Sequence, residues 1–140
     1  MGTFEGYFLG GIMREKLIEL LNNSYSPYSN YKVAAIVVMK DGTEFKGVNV
    51  ENASYGASIC AERSAILGAI SNGYKRYDFD AIYVMCDNDK IGMPCFVCRM
   101  TLSELFEKDR QVICMNPEGN VIVHTVEELC PFPFSDEDLK

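Results

Sequence analysis

The sequence predicts an α/β fold, in which helices cover the faces of a layered β-sheet. Apolar, β-branched stretches alternate with amphipathic stretches in the order αββαβαββα, and this alternation is typical of such folds. Short clusters of Gly and Pro fall between the stretches, where turns belong. We find no repeat or linker, so the 140 residues are expected to form a single domain over 1–140.

The first half of the chain predicts a helix, a hairpin and a second helix. Apolar side chains recur at helical spacing before Pro27, which ends the first helix. Asp41-Gly42 is a hairpin turn between two β-branched stretches. Cys60 is expected in the first turn of the second helix. The predicted elements are a helix over 12–23, strands over 31–39 and 43–50, a loop over 52–58, and a helix over 60–70.

The second half of the chain alternates between strand and helix. Pro94 suits the first turn of a helix, which places Cys95 and Cys98 at the start of that helix. Thr125, followed by Glu128 three residues later, resembles a capping box for a short final helix. The predicted elements are strands over 80–86, 111–115 and 121–125, and a helix from Pro94 to about residue 107.

Composition limits the partners of the protein. A net charge of −7 disfavours nucleic-acid binding, because no basic patch is available to neutralise phosphates. The first residues lack the features of a secretory signal, and no apolar run is long enough to span a membrane. We therefore expect six reduced cysteines, a cytoplasmic location, and a small molecule or a protein as partner.

Two segments carry the residues of a metal site. Cys60-Ala61-Glu62-Arg63 provides one thiol and one carboxyl group, and Pro94-Cys95-Phe96-Val97-Cys98 provides two further thiols. Three thiolates can hold a zinc ion and leave its fourth position open, where zinc lowers the pKa of a bound water towards about 7. Glu62 could accept the proton of that water. The pattern predicts a catalytic zinc site for hydrolytic removal of an amino group from an electron-poor ring.

The cysteines of the second segment also allow another interpretation, and three further cysteines lie outside both segments. Cys95 and Cys98 alone could form a redox dithiol or half of a structural zinc site. Cys86, Cys114 and Cys130 lie among apolar residues and are expected to be core thiols. If one of them were a fourth ligand, the site would be closed and structural.

Three thiolates on zinc carry a net negative charge that needs compensation. Cys60 and Cys95 are both expected at helix starts, where amide groups and the positive end of the helix dipole face the sulfurs. Arg63 follows Cys60 by three residues and could donate a hydrogen bond to a thiolate. The alternative for Arg63 is an ordinary solvated helix arginine.

Motifs outside the cysteine segments extend the pattern over most of the chain. They comprise Tyr25-Ser26-Pro27-Tyr28-Ser29-Asn30-Tyr31, the segment 45–55, and Thr125-Val126-Glu127-Glu128-Leu129 with Pro131 and Phe134. Together with the C-x-E and P-C-x-x-C segments, they resemble the zinc-dependent cytidine deaminases of the small, homotetrameric type. The resemblance runs from about residue 12 to residue 139. It implies a three-layer α/β/α fold with a mixed five-stranded sheet.

The resemblance also implies an activity and a role for each matching residue. One Zn²⁺ per subunit would be bound by Cys60, Cys95 and Cys98, with Glu62 as the proton shuttle and Arg63 as their support. The reaction would be deamination of cytidine or deoxycytidine to uridine or deoxyuridine in pyrimidine salvage, with release of ammonia. The substrate contacts implied are Tyr31, Asn49, Glu51, Ala61 and, from a neighbouring subunit, Phe134.

Asn49 and Glu51 suit this role independently, because side chains at i and i+2 leave a strand on the same face and could meet a sugar. The alternative is an edge strand that presents both side chains to water. Phe96, Val97 and Met100 depart from the family pattern, which usually has Gly, Ala and Gln there. This bulk bears on the shape of the pocket or on the subunit interface.

Two other functions remain open at this point. The same chemistry could serve a modified pyrimidine nucleoside or a blasticidin-type antibiotic. A non-catalytic, nucleoside-binding or structural zinc protein is also possible, although such a site would not need the carboxyl group of Glu62.

Overall fold

The computed structural model describes the backbone of residues 4–140 and the side chains of residues 11–140. Helices and strands follow the predicted order αββαβαββα. They are α1 (Phe4–Leu21), β1 (Val33–Met39), β2 (Glu44–Val48), α2 (Ala61–Ser71), β3 (Phe79–Cys86), α3 (Phe96–Leu105), β4 (Gln111–Met115), β5 (Val121–Thr125) and α4 (Val126–Leu129), with 3-10 turns at Tyr55–Ala57 and Asp136–Leu139.

The five strands form one mixed sheet in the order β2-β1-β3-β4-β5. β3 and β4 run parallel because α3 forms a crossover between them, whereas the other neighbouring strands are antiparallel. Val84 of β3 lies opposite Ala35 of β1 and Cys114 of β4. The mixed five-stranded sheet implied by the resemblance is therefore confirmed.

Helices cover both faces of the sheet and give the molecule three layers. On one face, Leu17 of α1 packs in a cluster with Ile36 of β1. On the other face, Ile66 of α2 and Leu102 of α3 share a cluster with Val84 of β3. Both clusters arise because successive side chains of a strand point to opposite faces. The three-layer α/β/α arrangement is confirmed.

The first helix is longer at its start than predicted. α1 begins at Phe4 rather than at residue 12, because the glycines that lower helix propensity before residue 12 do not end the helix. It ends at Leu21, and the amides of Asn22 and Asn23 complete the turn on carbonyls of the last turn of α1. Neither α1 nor any other helix in the described range is long and apolar enough to cross a membrane.

The two helices that carry the cysteines begin one or two residues later than predicted. Cys60 and Cys95 are the N-cap residues of α2 and α3 rather than members of the first turn, and Pro94 precedes the N-cap. Both cysteines have extended backbone dihedrals, as N-cap residues do. The carbonyl of Cys60 accepts the first helical hydrogen bond from the amide of Ser64 at 3.0 Å.

Close packing of α2 on β2 brings the end of β2 next to the start of α2. A Cβ on Gly47 of β2 would lie 2.4 Å from the carbonyl oxygen of Ala61 and 2.5 Å from the amide nitrogen of Ala65. Only glycine allows this approach. Just beyond β2, Val50 pairs with Ile59 in an antiparallel bridge, which carries the chain directly to the start of α2.

Candidate active site

The start of α2 forms the first half of the candidate site. Ala61 and Glu62 follow the N-cap Cys60 and are both buried, with only 5% of Glu62 exposed. Ala61 packs in the core between α2 and the sheet, while Glu62 lines a cleft. The packing of α2 therefore shields a carboxyl group from water without removing it from the cleft.

The start of α3 forms the second half. Cys95 is exposed, whereas Cys98 in the first turn of α3 is 0% exposed. Arg99 supports this turn: its Nε donates to the carbonyl of Pro94 at 2.8 Å, and its Nη1 donates to the carbonyl of Leu129 at 3.2 Å. Arg99 therefore connects the two-cysteine segment to the end of α4.

Three thiols meet where the two halves face each other. The sulfurs of Cys60, Cys95 and Cys98 lie within 4.8 Å of one another, and those of Cys60 and Cys95 are 3.6 Å apart. In a tetrahedral site with Zn–S bonds of about 2.3 Å, sulfurs are separated by roughly 3.8 Å, so the cluster fits a zinc ion. In the described part of the chain, no fourth His, Cys, Asp or Glu joins it. Three ligands with one open position are typical of catalytic zinc sites.

Arg63 provides positive charge beside the thiols. Its Nη2 donates to the sulfur of Cys60 at 3.7 Å. Hydrogen bonds from Cys98 and, to a smaller extent, from Arg63 lower the pKa of Cys60 to about 5. The same hydrogen bond between Cys60 and Cys98 raises the pKa of Cys98. Neither N-cap sulfur accepts a hydrogen bond from a backbone amide of its helix, so the expected contribution of helix amides is not made through capping.

Glu62 has the protonation properties of a proton shuttle. Burial raises the pKa of Glu62 to about 7, and the charge of Cys60 adds to the increase. A carboxyl group with a pKa near neutrality can accept a proton and return it with little free-energy cost. Glu62 lies outside the three-thiol cluster, which leaves its carboxyl group available for this exchange.

A cleft of about 670 Å³ is lined by the thiols of Cys60 and Cys95 but not by that of Cys98. Asn49 and Glu51, just beyond β2, also line it. Nδ2 of Asn49 donates to the carbonyl of Tyr31 at 2.7 Å, and Oε1 of Glu51 accepts from the amide of Ser29 at 3.1 Å. These bonds hold the segment before β1 against the cleft. The sequence-predicted residues that line it are Tyr31, Asn49, Glu51, Cys60, Ala61, Glu62, Arg63 and Cys95.

The aromatic and bulky residues singled out in the sequence lie elsewhere. Phe134 does not line the cleft of its own chain, and 60% of it is exposed. Phe96, Val97 and Met100 do not line the cleft either, and Phe96 and Val97 are 70% and 58% exposed. The bulk between the two thiols of α3 is therefore on the outer surface and leaves the shape of this cleft unchanged.

The remaining cysteines have three different environments. Cys114 is in the core as expected. Cys86 is buried but lines the cleft, a position that sequence reasoning missed, although its place at the end of a buried strand was a usable signal. Cys130 is only partly buried, with its sulfur 4.0 Å from that of Met100, so its expected core position is wrong. It lies beyond the C-terminus of α4, away from the sheet.

Fold and site together define a three-layer α/β/α protein with an open three-thiol metal site beside a buried carboxyl group. The family model described as "Cytidine and deoxycytidylate deaminase zinc-binding region" matches residues 12–116. The chain belongs to this family, so the resemblance found in its motifs is confirmed.

Individual relatives agree with this assignment. A cytidine deaminase of Halalkalibacterium halodurans is 41% identical over 125 residues, covering 89% of this chain and 93% of the relative. A probable cytidine deaminase of Dictyostelium discoideum is 40% identical over 130 residues, covering 89% and 86%. The crystal structure of cytidine deaminase from Burkholderia pseudomallei matches with a TM-score of 0.84 at 39% identity and covers 89% of this chain and 98% of that one.

Proposed function

We propose that this protein is a zinc-dependent cytidine deaminase, which hydrolyses cytidine and deoxycytidine to uridine and deoxyuridine and releases ammonia. The observation that carries this proposal is the buried carboxyl group of Glu62, with a pKa of about 7, in a cleft that is also lined by two of the three clustered thiols, Cys60 and Cys95. A structural zinc site would need neither the open position nor this carboxyl group.

Each residue of the site has a definite part in the proposed reaction. Cys60, Cys95 and Cys98 hold one zinc ion per subunit, which supplies a water molecule of lowered pKa when bound. Glu62 accepts one proton from water and passes it to the ring nitrogen of cytosine; it then takes the second proton from the hydroxyl group that has been added to the ring carbon and delivers it to the departing amine. Water adds its oxygen to the ring, and the amino group leaves as ammonia.

The part of the cleft lined by Asn49 and Glu51 suits a sugar. Nδ2 of Asn49 uses one N–H on the carbonyl of Tyr31 and keeps a second, while Glu51 accepts from the amides of Tyr28 and Ser29 and from the Ser29 hydroxyl. A carboxylate has about four acceptor sites, so Glu51 retains capacity for a sugar hydroxyl. Asn49 and Glu51 therefore bind the ribose or deoxyribose, with Tyr31 and Ala61 near the base.

The proposal extends to assembly and cellular role. Residues 1–140 act as one domain in a cytoplasmic homotetramer that serves pyrimidine salvage. Phe96 with Val97 and Phe132 with Phe134 are pairs of exposed apolar side chains close in sequence, and they support self-association because clustered exposed apolar side chains mark interaction surfaces. Phe134 then completes the pocket of a neighbouring subunit. Sedimentation tests the assembly: a monomer at micromolar concentration would refute it.

An ammonia-release assay tests the activity. The panel contains cytidine, deoxycytidine, a 5-substituted cytidine and blasticidin S, and zinc content is measured for each preparation. We expect release from the first two substrates and none from a Glu62→Ala variant that retains zinc. Release from blasticidin S alone would identify an antibiotic deaminase, and zinc-loaded protein without release from any compound would identify a binding protein.

A further inference from the structure

Tyr31, Cys86 and Gly92 meet at one point beside the cleft. A Cβ on Gly92 would lie 2.5 Å from the hydroxyl oxygen of Tyr31 and 2.8 Å from the sulfur of Cys86. Tyr31 and Cys86 both line the cleft. The hydroxyl and the thiol thus occupy the space that any side chain at position 92 would need, and only glycine permits this arrangement.

The Cys86 thiol and the Tyr31 hydroxyl both lie against Gly92, close enough to influence each other's ionisation. Burial and the contact with Cys86 raise the pKa of Tyr31, so its hydroxyl stays protonated and can donate at neutral pH. We call Cys86 and Gly92 the Tyr31 socket.

The backbone of Tyr31 is fixed as well. Its amide donates to the hydroxyl oxygen of Ser29 at 3.0 Å, and its carbonyl accepts from Nδ2 of Asn49 at 2.7 Å. The Ser29 hydroxyl in turn donates to Glu51. The backbone of Tyr31 is thus held by Ser29 and Asn49, and its hydroxyl is held by the socket. A side chain fixed at both ends has little rotamer freedom left to lose when a ligand binds.

We propose that Cys86 and Gly92 form a socket that holds the hydroxyl of Tyr31 in place and thereby positions its ring beside the pyrimidine base. The identity of the ligand rests on the proposed function. Cys86 is the last residue of β3 and Gly92 lies in the loop that follows it, whereas Tyr31 precedes β1 in another loop. The socket therefore fixes Tyr31 relative to β3. Neither Cys86 nor Gly92 is a zinc ligand, so we expect loss of the socket to change KM more than kcat.

The test is a double-mutant cycle on cytidine, with zinc content and melting temperature recorded for each variant. Tyr31→Phe keeps the ring and removes the anchor, and we expect KM to rise about threefold with kcat nearly unchanged. Gly92→Ala forces the hydroxyl and thiol apart, and we expect KM to rise about tenfold. In the double variant, the methyl group enters the space that the hydroxyl leaves, so KM falls below that of Gly92→Ala alone.

Matched controls come from the same chain. Gly68 in α2 has open space where a Cβ would stand, and Tyr77 lies outside the cleft. Gly68→Ala and Tyr77→Phe are therefore expected to leave KM unchanged. If the KM of the double variant equals the product of the two single increases, the substitutions act independently and the socket is refuted. A normal KM in Gly92→Ala would also refute it.

A second measurement separates the socket from the proposed activity. Iodoacetamide modification of Cys86, followed by peptide mass spectrometry on zinc-loaded protein, reports whether the thiol is covered. We expect several-fold faster modification in Tyr31→Phe and no change in Tyr77→Phe. If cytidine is not deaminated but Cys86 is modified faster in Tyr31→Phe than in wild type, the proposed substrate is wrong and the socket is supported. Equal rates in wild type and both variants would refute the socket.

Discussion

The two helix starts that hold the thiols use similar geometry in opposite surroundings. Cys60 and Cys95 are both N-cap residues, but the first turn after Cys60 is buried, whereas Phe96 and Val97 after Cys95 are exposed. Burial on the α2 side changes the protonation of Glu62, while the α3 side contributes ligands and a surface. Residue chemistry alone does not separate the two halves, because the shielding from water that shifts a pKa comes from packing.

Removing a ligand tests the feature that both halves share. In Cys98→Ala we expect loss of bound zinc and of all deaminase activity, because two thiolates no longer form a three-ligand site. Zinc is measured by atomic absorption on protein of confirmed fold. Cys114→Ala, which removes a thiol from the core, provides the control. Full zinc content in Cys98→Ala would show that another group completes the site.

Removing the carboxyl group tests the α2 half alone. Glu62→Gln keeps the size of the side chain but cannot carry protons, so kcat is expected to fall by about 10²–10⁴ with zinc retained. The exposed Glu118→Gln provides a control for the charge change. Comparable kcat values for Glu62→Gln and wild type would assign proton transfer to another group.

Arg63 tests whether charge compensation belongs to the α2 half. Arg63→Ala removes the hydrogen bond to Cys60, and zinc affinity is expected to fall about tenfold, in line with other supporting residues of metal sites. Competition with a chromogenic chelator measures the affinity. Arg63→Lys, which keeps the charge, should recover part of it. An unchanged affinity in Arg63→Ala would leave the thiolate charge to other groups.

Arg99 tests the mechanical support of the α3 half. Arg99→Ala removes the hydrogen bonds to Pro94 and Leu129, and we expect unfolding free energy to fall by about 2 kcal/mol. Urea denaturation of the zinc-loaded protein gives this value. Arg76→Ala, which loses a more exposed contact, should cost less. If both variants were equally stable, α3 would not depend on Arg99.

The smallest effect is expected at the outer surface of α3. The guanidinium of Arg99 lies 4.4 Å from the ring centre of Phe96, and such a contact at an exposed site is worth about 0.5–1 kcal/mol. Phe96→Ala should therefore leave activity intact and lower monomer stability only slightly. A larger effect on sedimentation than on melting would place Phe96 in a subunit interface. A large loss of kcat would contradict the separation of this surface from the cleft.

The order of elements and the metal segments could be predicted from sequence because they depend on local patterns. Continuous apolar runs marked β1 and β3, and Thr125 with Glu128 forms the expected capping box. The helix starts were misplaced by one or two residues, since Cys60 and Cys95 can act as N-caps although neither belongs to the usual capping residues. Glycines before residue 12 concealed the true start of α1 at Phe4.

Other properties of the site depend on contacts between distant segments. The sequence by itself determined the fold class, the three thiols and the neighbouring Glu62, because residue type and spacing carry that information. Only the tertiary structure decided that Glu62 is buried, that Cys86 lines the cleft, and that Gly92 admits the hydroxyl of Tyr31. Burial and close approach result from packing one element on another, and no local pattern records them.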